Sequence, residues 1–156
     1  MVNYYICATQ YQYSMRSFAL FALLTIFSLS AFAQRTSPVG KWKTVDDATG
    51  KVKSVVEIFE KNGKLHGRVL ELFDPPKPDP VCEECDKADP RFGKPVKGME
   101  VILNMVKDGE EWASGDILDP ENGKVYRGKI WVEKGKLQVR GYIAFLYRTQ
   151  TWLPAS

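Results

Sequence analysis

The chain has 156 residues, 44% of them apolar and 12% aromatic, with 22 Lys and Arg against 19 Asp and Glu, and three cysteines. That length suits one ordinary domain once any leader is removed. The charges are interspersed, with no basic block or aromatic-basic ladder to track phosphates, so nucleic acid is excluded as a partner.

The first element is a leader. Residues 18–33, FALFALLTIFSLSAFA, are almost wholly apolar, follow Arg16 and end on Ala31, Phe32 and Ala33 before Gln34. A charged flank, an apolar centre and an A-x-A site predict a secretory signal peptide over residues 1–33, cleaved between Ala33 and Gln34. A spanning helix needs about 20 apolar residues, more than this run supplies, so no membrane anchor is expected in the mature chain. Residues 1–14 carry no charge and no amphipathic pattern, so Met15 makes a more ordinary start than Met1. The mature product, residues 34–156, is expected as a single domain in the periplasm or secreted. Its cations number 21 against 19 acids, because only Arg16 is lost.

Past the leader, glycine turns punctuate the chain at 46–51 (DDATGK), 60–64 (EKNGK), 107–111 (KDGEE), 119–124 (DPENGK) and 133–136 (EKGK). Asn-Gly and Asp-Gly between apolar runs signal hairpins, because both residues tolerate positive φ. Between the turns, segments rich in Val, Ile, Tyr, Phe and Trp predict strands at 40–45, 52–60, 65–73, 99–107, 112–118, 125–132, 137–144 and 145–152. Several alternate: Leu137, Val139, Gly141 and Ile143 share one face, and Gln138, Arg140 and Tyr142 the other. The expected fold is all-β, an up-and-down antiparallel barrel of about eight strands, with a two-sheet sandwich as the alternative. Closure would remove the exposed edges of such a chain.

Residues 74–98 interrupt this rhythm with six prolines, Cys82 and Cys85. Proline donates nothing to a ladder, so the segment is a true loop, and loops beyond about 12–15 residues are commonly functional or disordered. The Cys-Glu-Glu-Cys pair has three readings. Zinc would need two further ligands, from Asp79, Asp86 or Asp89, since His66 is the only histidine. A redox CxxC draws its reactivity from a helix N-terminus, whereas Glu83, Glu84 and Asp86 would raise a thiol pKa here. A local disulfide in an oxidising compartment is the favoured reading.

Other chemistry is sparse. His66 has no GxSxG elbow to serve, and Ser54 and Ser114 sit within strands. Asp116, Asp119 and Glu121 match no calcium-loop spacing, and DPENG reads as a turn. No catalytic residue, metal or cofactor is assigned, and the chain is not expected to be an enzyme.

Several motifs carry a resemblance: GKW at 40–42, DDxTGK at 46–51, WxxGxILDPxNGKxY at 112–126, LxVRGY at 137–142 and RTQTW at 148–152. Together they resemble the bacterial secreted family called domain of unknown function 2147, over most of the mature chain. The resemblance implies an exported small barrel similar to the lipocalins, and defines no activity. Lipocalin-like barrels begin with G-x-W, here Gly40 and Trp42, and lay an arginine from near the last strand over that tryptophan. By analogy Arg148, with Gln150 and Trp152, would close the barrel's narrow end on Trp42.

The loops at 46–51, 74–98 and 119–124 would then surround the opposite, open end, with the proline loop as a lid. Eight strands enclose room for side chains or one small ligand. The expected pocket draws on Trp112, Tyr126, Ile130, Val139 and Tyr142 and suits a small apolar or amphipathic ligand or lipid. A barrel filled by its own side chains would instead be a structural or protein-interaction module of the envelope.

Overall fold

The computed structural model describes residues 36–155. The expected leader, its cleavage point before Gln34 and the choice between Met1 and Met15 lie outside them. Eight strands follow in order: β1 (Gly40–Val45), β2 (Val52–Lys61), β3 (Lys64–Leu72), β4 (Glu100–Asp108), β5 (Glu111–Asp119), β6 (Lys124–Glu133), β7 (Lys136–Ile143) and β8 (Leu146–Pro154). Each pairs antiparallel with its neighbours, and β8 returns to β1 through Trp42 with Pro154 and Lys43 with Leu153, closing an up-and-down barrel. That closure excludes the sandwich.

Turn chemistry explains the meander. Asn62 and Gly63 take φ of 54° and 71°, and Lys134 and Gly135 take 50° and 73°, the twist that two-residue hairpins require. The last hairpin has no glycine. Its turn falls at Ala144 and Phe145, with Ala144 at φ 52°, and β8 extends to Pro154.

Up-and-down order gathers the first and last residues of the barrel, and the turns after β2, β4 and β6, at one end. The connections 46–51, 73–99, 120–123 and 144–145 gather at the other, the mouth. Paired residues share a face, so cross-strand rows can be followed around the wall. One row runs Trp112, Ile130, Val139, Gln150 across β5 to β8, and a row nearer the mouth runs Gly115, Gly128, Gly141, Arg148. Trp42, Ile58, Leu65, Ile102, Met105, Ile130 and Leu137 are all fully buried, and they make the core of the barrel.

The outer wall is polar. Arg68 pairs with Glu57 at 2.7 Å, Lys129 with Glu111 at 2.7 Å and Arg127 with Asp116 at 3.1 Å. A membrane-spanning barrel has the reverse arrangement, with an apolar outer band. Among the described residues no helix is long and apolar enough to cross a membrane.

Candidate functional site

Four of the five expected pocket residues face inward. Ile130 and Val139 are paired and buried, Trp112 adjoins Ile130, and Tyr126 pairs with Ile117 near the mouth. Tyr142 does not belong with them. It lies one residue past inward Gly141, so the period of two turns it outward, where its ring stands 6.1 Å from that of Tyr147. The Trp112 indole Nε1 is buried without a hydrogen-bond partner among the described residues, and the Lys107 ammonium lies 5.2 Å from its ring centroid.

The inward glycines accommodate neighbouring side chains. A Cβ at Gly67 would stand 2.9 Å from Ile58 Cδ1, one at Gly115 2.6 Å from Met105 Sδ, and one at Gly128 2.3 Å from Ile117 Cδ1. The volume that each of these glycines frees is taken by a neighbouring atom.

At the end opposite the mouth, Trp42 is fully buried and donates Nε1–H to the Pro38 carbonyl at 2.7 Å. Gly40 pairs with Ile58 on β2. Trp152 is buried two residues before Trp42's partner Pro154, and its Nε1–H reaches Gln150 Oε1 at 3.3 Å. The two indoles therefore occupy the same end. Arg148 does not. It precedes Pro154 by six residues, about 20 Å along an extended strand. β8 runs from the mouth downward, so Arg148 lies opposite Gly141 near the rim and donates Nε–H to Asp47 Oδ2 at 2.9 Å.

The proline loop packs against the barrel wall and the β5–β6 turn. Cys82 and Cys85 form a disulfide and both are buried. Sulfurs joined to each other cannot serve as thiolate zinc ligands, and burial keeps an attacking thiolate out until the loop opens. Val101 and Leu118 point outward by alternation, yet they are buried in one cluster with Cys82, Cys85, Val96 and Met99. The loop thus roofs the outer face of β4 and β5. It is pinned to the β5–β6 turn, where Gly123 (φ 69°) lies so close that a Cβ there would overlap the Glu84 carbonyl. Its other end is tied to β3 by hydrogen bonds between Val69 and the backbone of Gly98 and Met99.

Beside this roof is an open groove of about 580 Å³, whose lining includes Asp89, Arg91, Lys97, Met99, Glu100 and Leu103. Its floor is fixed by a largely buried fork: Arg91 donates to both Asp89 carboxylate oxygens, at 2.9 and 2.7 Å, and to the Glu100 carbonyl at 3.2 Å. Glu100 Oε2 in turn meets His66 Nδ1 at 3.1 Å. The Arg91 hydrogen bond lowers the Asp89 pKa to about 2. A carboxylate depressed in the folded state stabilises it above the unfolded pKa of about 3.9, and that contribution disappears as pH falls through the folded value. The Arg91 Nε–H resonance is therefore expected to titrate with a midpoint near 2. A midpoint at the ordinary carboxylate value would mean that the fork does not form in solution.

The feature that strand-by-strand reading passed over is the β7–β8 tip. Ile143, Phe145, Leu146 and Tyr147 are 55%, 91%, 63% and 62% exposed, the largest such concentration in the described chain. A run of five residues, IAFLY, without a polar turn residue was its signal in the sequence.

Among solved structures, the chain is similar to Protein HP1028 from the human pathogen Helicobacter pylori, described as belonging to the lipocalin family. The two share 21% identity with a TM-score of 0.66, over 78% of this chain and 85% of that one, a likeness of fold. No curated protein matches the chain. The family model described as "Uncharacterized protein conserved in bacteria (DUF2147)" matches residues 40–153, from the first strand through the last, and the chain belongs to that family.

Proposed function

We propose that this protein is an exported envelope module that acts through its outer surface, with a barrel filled by its own side chains. The observation that carries this reading is the occupied inner wall: the space freed at Gly67, Gly115 and Gly128 is taken by Ile58, Met105 and Ile117. The role is one of binding rather than catalysis. Export with cleavage between Ala33 and Gln34, to the periplasm or outside, is part of the same reading. The Cys82–Cys85 disulfide supports it, because such bonds persist in oxidising compartments.

One observation favours the other reading, a small apolar ligand beside Trp112, Tyr126, Ile130 and Val139. The Trp112 Nε1–H is a buried donor without an acceptor among the described residues, a group that a ligand oxygen could satisfy. Native and denaturing mass spectra of the same gently purified exported protein separate the two. The filled barrel predicts the bare polypeptide mass in both, two hydrogens below the reduced value, also after incubation with envelope lipid extract. A reproducible adduct lost on denaturation would establish a ligand and overturn the filled-barrel reading.

A further inference from the structure

The β7–β8 hairpin leaves the mouth end with no apolar cover of its own. Phe145 at the tip is 91% exposed, flanked by Ile143 and Leu146, and Val125 at the start of neighbouring β6 is 48% exposed. Exposed aliphatic and aromatic side chains gathered at one projecting turn mark a contact surface, because water opposes their exposure.

The residues behind the tip indicate what it contacts. One cross-strand level back, Tyr142 and Tyr147 face each other on the outer wall. At the next level, about 7 Å further from the tip, Arg140 stacks over Tyr147 at 4.3 Å and over Trp131 at 5.0 Å. The Lys129 ammonium lies 5.1 Å from the centroid of the same Trp131 ring. Outward from the tip the order is therefore aliphatic and phenyl, then phenol, then guanidinium and ammonium, with the Trp131 indole one level beyond the cations. A bilayer presents its matching layers in the same order: acyl chains, interface, phosphates.

Charge points the same way. Residues 124–154 carry seven Lys and Arg against Glu133 alone, a net of +6, whereas residues 36–123 carry 13 against 18, a net of −5. Residues 136–154, which hold the whole hairpin, contain no acid. Acids of neighbouring elements do face this region: Asp116 pairs with Arg127, Glu111 with Lys129 and Asp47 with Arg148. Two of those three cations are 70% exposed, so those pairs are weak and open to competition from lipid phosphates.

The geometry points to the β7–β8 tip as a membrane-surface anchor that inserts Phe145 and Leu146 into an anionic leaflet, with Arg140 and its neighbours on the phosphates. It rests on the surface-acting reading above and gives that surface its partner. The barrel lies on the bilayer and does not span it.

The test is flotation of the exported protein with phosphatidylcholine vesicles prepared with and without added phosphatidylglycerol. Wild type is expected to float with the anionic vesicles at low salt and to release as salt rises. Phe145→Ser and Phe145→Asp should lower the partition coefficient at least tenfold, with an unchanged circular dichroism spectrum because the side chain is exposed. Phe145→Trp should retain binding and add a blue-shifted emission component on anionic vesicles. No flotation at low salt, or equal flotation of Phe145→Ser, would overturn the anchor. So would concentration-dependent self-association that Phe145→Ser abolishes while vesicles go unbound, which assigns the tip to a second copy. A soluble protein–lipid complex stripped from the vesicles equally by wild type and Phe145→Ser would overturn the filled-barrel reading itself.

Discussion

Replacing Trp42 by Ala is expected to cost about 3–5 kcal/mol of folding stability, the range for emptying a buried tryptophan site, whereas Arg148→Ala should cost at most about 1 kcal/mol. Trp42 is fully buried, donates to Pro38, and stands on the strand through which the barrel closes. The loss is a large fraction of the roughly 5–15 kcal/mol that holds a domain of this size together. The Arg148 side chain is 70% exposed, and its Asp47 partner is 42% exposed, so solvent screens the pair. Urea unfolding of both variants and of the double variant checks the contrast. The two costs should add within a few tenths of a kcal/mol, because the sites lie at opposite ends of the barrel. Strong coupling, or an Arg148→Ala cost equal to that of Trp42→Ala, would place the guanidinium on the indole after all.

The strand that carries Arg148 is legible in the sequence, but its position along that strand is not. Strands and most turns were legible, because Asn-Gly and Asp-Gly fix the positive φ that a hairpin needs and the period of two marks the wall. Position along a strand was less so. The end of the barrel at which a residue lies depends on which turn precedes it, and the last turn, at Ala144 and Phe145, has no turn chemistry to announce it. There Ala144 takes positive φ because the β7–β8 ladder is continuous from Leu137 with Trp152 to Ile143 with Leu146. Tyr142 lies outside for a simpler reason: the alternation that puts Val139 inside puts Tyr142 on the outer face, whatever its aromatic character. The roof over Val101 and Leu118 was illegible because alternation assumes one wet face, and nothing local announces a loop folded onto the outer wall. Bulges added to this. Asn104 and Ser114 take φ of 58° and 59°, and the β3–β4 and β5–β6 registers shift beside them.

The glycine row offers an experiment whose sign distinguishes a filled barrel from a hollow one. Gly115, Gly128 and Gly141 have no positive φ, so their backbones suit alanine. In open space, Gly→Ala at such a site stabilises by about 0.4–1 kcal/mol, through the unfolded chain. In a filled interior the added methyl must displace something, and overpacking costs about 1–3 kcal/mol. The expected order follows from what each Cβ would meet. Gly115→Ala should be worst, because the Leu103 carbonyl oxygen at 2.5 Å and the Met105 amide nitrogen at 2.7 Å are backbone and cannot rotate away. Gly128→Ala should be intermediate: Ile117 Cδ1 at 2.3 Å can swing aside, but the Arg140 carbonyl oxygen at 2.8 Å remains. Gly141→Ala should be mildest, its nearest neighbour being Tyr126 Cβ at 3.2 Å. Chemical denaturation of the three variants reads both sign and order. Stabilisation at Gly128 and Gly141 together would mean that the upper barrel is open in solution, and would return the interior between Tyr126, Ile130 and Val139 to a ligand. Destabilisation in the stated order leaves the outer surface, and the hairpin that projects from it, as the part of this protein that meets a partner.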